Sequence, residues 1–380
     1  MLKTGKLDSR LLEKIILKNI YFKRDEIITR PGIGEDCAVM DFAPYECVLS
    51  TDPITAAIED IGRLAVHISC NDIASNGIEP IGIMLAVMLP EGTTEEQLDQ
   101  MMRQAGEVSE ELNVEIIGGH TEITPAVKQP VIVSTAIGRG PKNGSQKVTD
   151  MEPGDLIMMT KSAGLEGTGV IAADVEKEMK KFLTDEEIAE AKAMLNKVSV
   201  VKEGVAAGKV GTHGMHDVTE GGMLGAIWEI CAISGIGAEI WKDKIPVEPV
   251  TQKLCDYFDI NVLRLISSGS MVIVVPENKK KEMLAAMENA EVEATYVGVI
   301  RELGDKVVTI CGGIEPIAMV GALRLNGLKQ NLMSLRSKTI SGEAMAQPMW
   351  APARLRDLDM VWTTMRLGLS STRLAQDLLP

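Results

Sequence analysis

The 380-residue sequence predicts an α/β (α+β) protein in two domains. Short apolar runs bounded by turn residues alternate with stretches of helical period, the pattern of packed sheet and helix layers. The length exceeds the usual single-domain size, so two lobes with a cleft between them are expected. A stretch dense in breakers from Gly138 to Gly154 separates the two alternating halves and marks the boundary.

Residues 8–19 set Leu/Ile pairs against Lys and Glu at helical spacing. Residues 46–51 and 81–88 read as strands, with a helix over 58–76 between them. Thr93-Thr94-Glu95-Glu96 opens a helix over 94–112, its acids at the positive end of the helix dipole. Short strands at 114–117 and 131–138 complete the first half. In the second, Leu156–Thr160 is a strand and Gly164–Gly169 opens a helix. Helices follow near 177–208, then a strand into His216-Asp217, a helix over 220–233 and a strand-helix-strand passage across 270–300. From residue 315 onward the chain turns net basic without a clear period, which predicts an atypical tail, disordered, docking or artefactual.

Composition narrows the function. Hydrophobic residues at 45% and charged residues at 24% describe a globular rather than a disordered chain. A net charge of −15 argues against nucleic acid as a ligand, because backbone binding runs on Lys and Arg clusters. An anionic nucleotide must then arrive with its metal or meet local basic groups. The six cysteines show neither a C-x-x-C pair nor zinc spacing, so they read as free thiols in a reducing compartment. No signal-peptide core and no long apolar run is present, so a cytoplasmic protein away from the membrane is expected.

Five acidic, glycine-rich motifs carry the chemistry. Gly32-Ile33-Gly34-Glu35-Asp36 delivers two acids from a flexible turn, and alone it also reads as an ordinary turn. Asp52, after Ser50-Thr51 at a strand end, serves equally well to begin a turn. Asn71-Asp72 sits in a helix with an apolar face, where Asp is a poor interior residue because its side chain competes for backbone groups. Gly118-Gly119-His120-Thr121-Glu122 follows a strand, where α/β ligand sites collect. There His120 suits proton transfer or a hydrogen bond to substrate, and Glu122 suits metal binding or water orientation. His216-Asp217-Val218-Thr219-Glu220-Gly221-Gly222 runs from strand into helix, with Thr219 as a candidate cap and the helix start as a phosphate site. Carboxylates beside glycine turns suit Mg²⁺ on a polyphosphate, since Mg²⁺ takes hard oxygen ligands and shares its shell with phosphates.

In order and spacing the motifs resemble the superfamily of aminoimidazole ribonucleotide (AIR) synthetase, the hydrogenase maturation factor HypE, selenophosphate synthetase and thiamine-monophosphate kinase. The likeness covers roughly residues 5–310. Gly32–Val39 is similar to that family's Gly-x-Gly-(Asp/Glu)-Asp-Ala-Ala-Val loop, Ser50-Thr51-Asp52 to its Thr-Asp element, and Asn71-Asp72-Ile73-Ala74 to its Asn-Asp-(Ile/Leu)-Ala helix. Gly118–Thr121 is similar to Gly-Gly-(Asp/His/Glu)-Thr, and 216–222 to the His-Asp-Pro-Thr-Arg-Gly-Gly of HypE.

The resemblance implies a two-domain AIR synthetase-like (PurM-like) fold. Residues 1–145 are the expected ATP-binding, dimerising domain, 146–312 the α/β C-terminal domain, and 313–380 the tail. It implies ATP and Mg²⁺ as cofactors, with Asp36, Asp52, Asp72 and Asp217 on the metal and phosphates. Gly32, Gly34, Gly118, Gly119, Thr121 and Thr219 join them around the nucleotide, and His120 and Glu122 are the catalytic expectation. The expected partners are a second copy of the chain, a small-molecule or protein-borne acceptor, and metallocentre-maturation proteins. A HypE-like factor that activates an amide- or carbonyl-type oxygen is the nearest subfamily. Val218 and Glu220 depart from its Pro and Arg, and no cysteine follows Cys311, where that factor carries its thiocarboxamide at the C-terminus. A small-molecule kinase of the thiamine-phosphate type and a non-catalytic nucleotide-binding scaffold are the rival expectations.

Overall fold

The structure, a computed structural model, describes residues 25–29, 37–55, 60–304, 307–311 and 317–318. The predicted helix over 8–19, the loop bearing Gly32, Gly34 and Asp36, and the tail beyond 318 lie outside the described residues.

The first half is a six-stranded sheet with two helices packed on one face. Strands β1 (Ile27–Thr29), β2 (Ala38–Phe42), β3 (Tyr45–Ile54), β4 (Pro80–Leu89), β5 (Glu115–Ile123) and β6 (Val131–Pro141) stand in the order β1-β2-β3-β6-β4-β5. Every pairing is antiparallel except β4 with β5. Helices α1 (Ile61–Ser75) and α2 (Glu95–Leu112) fall between strands, as the period-3.6 runs predict. Strand alternation sorts the side chains: Ile83, Leu85, Val87 and Leu89 of β4 face the helices and are buried, whereas Met84 points away and is 45% exposed; Ile81, at a break in the register with β6, is 44% exposed. Thr94 caps α2, accepting from the Gln97 N–H while the Gln97 side chain accepts from the Thr94 N–H.

Two expectations shift. The first sheet's fifth strand does not end at residue 117 but runs on through Gly118–Ile123, because these residues continue the parallel ladder with β4. Strand β6 likewise continues to Pro141, so the breaker-rich stretch begins inside it.

The second half is a seven-stranded sheet between two helical layers. Its strands are β7 (Leu156–Thr160), β8 (Gly214–Asp217), β9 (Gly237–Trp241), β10 (Met271–Val275), β11 (Ala294–Arg301), β12 (Val308–Cys311) and β13 (Ile317–Ala318), ordered β13-β12-β9-β11-β7-β10-β8. The helices are α3 (Leu165–Asp174), α4 (Glu176–Met179), α5 (Asp185–Ala193), α6 (Val201–Val210), α7 (Gly222–Ser234), α8 (Pro249–Phe258) and α9 (Lys280–Asn289). Strands β7 and β10 are buried at every position. Their alternate residues feed two cores: Ile157, Met159, Val272 and Val274 meet α7, while Met158, Met271 and Ile273 join a second cluster with Ala207 of α6 and Met283 of α9. Covered faces on both sides explain why these strands read as unbroken apolar runs.

The halves meet where α6 lies on α1. A Cβ at Gly204 would stand 2.4 Å from the Ala74 carbonyl oxygen, and one at Gly208 2.3 Å from that of Gly77, so the contact is backbone on backbone. No described helix is long and apolar enough to cross a membrane.

Candidate functional site

Asp72 occupies the last turn of α1, buried against β3. The Ser50 hydroxyl donates to its Oδ2 at 2.5 Å, and the Cys37 thiol donates to its carbonyl at 3.4 Å. Cys37 immediately follows Asp36, so the chain leaving the glycine-rich motif passes directly beneath Asp72. Asp52 lies two residues beyond Ser50 on the same face of β3, since alternate residues of a strand share a face. The Ser50–Asp52 and Asn71-Asp72 motifs are therefore neighbours across the sheet–helix interface.

Asn71 points the other way. Its amide donates to the Val198 carbonyl at 2.8 Å and its Oδ1 accepts from the Val200 N–H at 2.9 Å, gripping the segment that precedes α6. One turn back on α1, His67 is buried, with neither ring nitrogen hydrogen-bonded. Burial, reinforced by the positive charges of Arg63 and Lys161, pushes its pKa down to about 3.

His120 and Glu122 stand elsewhere. Their register partners in β4 are Ala86 and Met88, on the face away from the helices. The His120 and Glu122 side chains are 72% and 48% exposed and approach each other at 3.4 Å. The structure does not bring them to Asp72, which lies on the helix side of the sheet. Gly119 must lack a side chain, because a Cβ there would fall 2.0 Å from the Leu85 carbonyl oxygen. Gly118, Gly119 and Thr121 belong to the strand rather than to a loop at its end.

In the second half Asp217 ends β8, buried, and its Oδ2 has no hydrogen-bond partner. The His216 Nδ1 lies 2.6 Å from the Asp217 carbonyl and its Nε2 3.3 Å from Glu229. Thr219 is not the side-chain cap: α7 starts at Gly222 behind a left-handed Gly221, and it is the Thr219 carbonyl that accepts from the Gly222 N–H.

The sequence reading missed Glu166, in the first turn of α3. Its stem is partly exposed, but its Oε2 is enclosed and without a partner. Burial raises its pKa to about 7; the charges of Glu220 and Asp217 add to the rise, and hydrogen bonds from Ser268 oppose it. Lys161, also missed, follows β7 and donates to the carbonyls of Ser199 at 2.7 Å and Gly269 at 2.6 Å and to the Glu203 carboxylate. Burial lowers its pKa, against the pull of Glu203. Lys161 follows a strand and Glu166 opens a helix, and only the fold brings either of them to the motifs.

A divalent ion needs oxygen ligands, and among the described residues no three His, Cys, Asp or Glu side chains gather closely enough to enclose one. Asp52 and Asp72 offer an open set instead, and the orphaned Oδ2 of Asp217 is a further buried donor atom. An open set fits Mg²⁺, which retains waters and takes the rest of its shell from phosphate oxygens.

Comparison with known proteins gives the family. The model for the N-terminal domain of AIR synthase related protein matches residues 34–140, and that for its C-terminal domain matches residues 152–311. A putative hydrogenase expression/formation protein of Methanocaldococcus jannaschii is 29% identical over 339 residues, 83% of this chain and 97% of that one. Carbamoyl dehydratase HypE of Rhizobium leguminosarum bv. viciae is 30% identical over 261 residues, 67% of this chain and 73% of that one. The crystal structure of hydrogenase maturation protein HypE in complex with ATP superimposes with a TM-score of 0.63 at 23% identity, covering 84% of this chain and 97% of the other. With both domain models matched in order across the two sheets, the chain belongs to the AIR synthase-related family, on its HypE-like side.

Proposed function

We propose that this protein is an ATP-dependent, HypE-like hydrogenase maturation factor, an enzyme that activates the oxygen of an amide- or carbonyl-type acceptor. The observation that carries the reading is its likeness to carbamoyl dehydratase HypE and to a hydrogenase expression/formation protein over most of both chains. A carbamoyl group loses water only when its oxygen becomes a good leaving group, and transfer of a phosphoryl group supplies that. Such transfer asks a protein mainly for positioning and for neutralisation of phosphate charge.

In this reading Asp36, Asp52 and Asp72 would hold Mg²⁺, which when bound would supply neutralisation of phosphate charge. Ser50 fixes the Asp72 carboxyl by its hydrogen bond. Asp217, with Glu166 beside it, lines the acceptor side and offers enclosed oxygens to acceptor N–H groups or to a second cation. Thr219 and the glycines at 32, 34, 118 and 119 shape the backbone around the nucleotide. His120 and Glu122 lie on the open face of the first sheet, where β4 and β5 expose Met84 and Ile117. That apolar face is our candidate homodimer surface, and the two residues act across it on the partner's site.

Calorimetric titration of ATP with and without Mg²⁺ tests the reading, repeated on Asp52→Asn. Mg²⁺-dependent binding that the variant loses is expected, together with ADP release that Asp72→Asn reduces at least about a hundredfold. Absence of nucleotide binding by the unaltered protein would overturn it.

A further inference from the structure

Lys161 adopts a left-handed backbone, with φ at +51°, which turns its side chain inward from the end of β7. Its ammonium has three N–H groups and three acceptors: Ser199 O, Gly269 O and the Glu203 carboxylate. Ser199 is the residue between Val198 and Val200, the two that Asn71 grips from the first half. Gly269 belongs to the turn Ser267–Ser270, whose Ser267 hydroxyl accepts from the N–H of Leu165, next to Glu166, at 3.2 Å and whose Ser270 carbonyl accepts from the N–H of Val218, next to Asp217, at 2.8 Å. The turn also rests directly on the other segment, for a Cβ at Gly269 would stand 2.3 Å from the Lys197 carbonyl oxygen.

A single ammonium thus ties the backbone that fixes Asn71-Asp72 to the backbone that fixes Glu166 and Asp217. We propose that Lys161 is a positioning residue, setting the separation between the phosphate-side and the acceptor-side groups without touching either ligand. The inference rests on the reading of Asp72 and Asp217 as two sides of one site. Loss of the link leaves each side able to bind its own ligand but lets the two drift. Misplacement on the order of 1 Å costs roughly a hundredfold in rate.

Lys161→Met alone strands Glu203 in the interior, so the informative protein is the double variant Lys161→Met/Glu203→Gln, which removes both charges together. Two readouts are taken on the full chain. In ADP release, kcat per folded molecule is expected to fall roughly tenfold to a hundredfold. Over the same comparison, the Kd for Mg-ATP is expected to stay within about threefold, a split that general loosening of the fold does not produce. In amide hydrogen exchange, Val200 and Val218 are expected to accelerate together, while the amides of β10 keep their protection. A kcat within about threefold of the unaltered protein, or equal losses in kcat and affinity, would refute the positioning role. If the unaltered protein binds no ATP, the functional reading fails on its own, and the exchange arm still decides: unchanged protection at either Val200 or Val218 overturns the link.

Discussion

Replacing Glu166 by Gln is expected to stabilise the protein at alkaline pH and to flatten its pH dependence near neutrality. Burial holds this carboxyl in its protonated form, raising the pKa from 4.5 to about 7. The folded chain therefore binds the proton more tightly than the unfolded chain, in which the group titrates normally. The stability this group contributes is complete below pH 4.5 and is lost as pH rises through about 7. At 1.36 kcal/mol per pH unit the rise corresponds to about 3 kcal/mol, an upper bound because the side-chain stem reaches solvent. The amide keeps the shape and the capacity to meet Ser268 but has no proton to lose. Urea unfolding of both proteins at pH 5 and pH 8 measures the difference. The Glu166→Gln variant should lose little or nothing at pH 5 and gain about 2–3 kcal/mol over the parent at pH 8. If the change in stability between the two pH values agrees in both proteins to within about 0.5 kcal/mol, the error of such extrapolations, the carboxyl is not enclosed as described.

Three further outcomes are expected. Asn71→Ala leaves the Val198 carbonyl and the Val200 N–H without partners at the junction of the halves; denaturant unfolding should show a loss of about 2–4 kcal/mol. His67→Leu removes an imidazole that must stay neutral in the fold. Because its folded pKa of about 3 lies below the ordinary 6.5, its contribution is present above pH 6.5 and lost as pH falls. The Leu variant should accordingly lose less thermal stability than the parent between pH 7 and pH 5. Met84→Asp places a charge on the apolar face of β4 and should sediment as a monomer at concentrations where the parent sediments as a dimer; identical profiles would remove that face as the homodimer surface.

Local pattern was legible where local physics decides the structure. An apolar run between turn residues located β4, Thr93-Thr94 with the acids of the first turn located the start of α2, and the misfit of Asp72 inside an apolar helix singled out a carboxyl that Ser50 holds. The end of β5 was not legible, because two consecutive glycines signal a turn in isolation, and only the ladder with β4 holds them extended. Thr219 failed as a cap for a similar reason: the left-handed Gly221 takes the cap position and moves the first helical turn two residues on. Lys161 carries no motif at all, and the Gly164–Gly169 stretch around Glu166 showed only that a helix opens there. Their partners lie at 203, 217, 220 and 268–269, and no period within a strand or helix reports a contact across 40 to 110 residues. Asn71 was noticed only as the neighbour of Asp72, although its own task is to join the halves.

The backbone-on-backbone seam between α1 and α6 carries a consequence for how this protein can vary. At Gly204 and Gly208 there is no side chain to trim and no room to add one, since the obstacles are the carbonyls of Ala74 and Gly77 rather than movable groups. Drift in the surrounding helices cannot compensate, because any residue other than glycine pries apart the same two helices that orient Asp72. Random mutagenesis scored for folding should therefore find these two glycines as intolerant as the acids of the site, and selection for thermal tolerance should have to work around them.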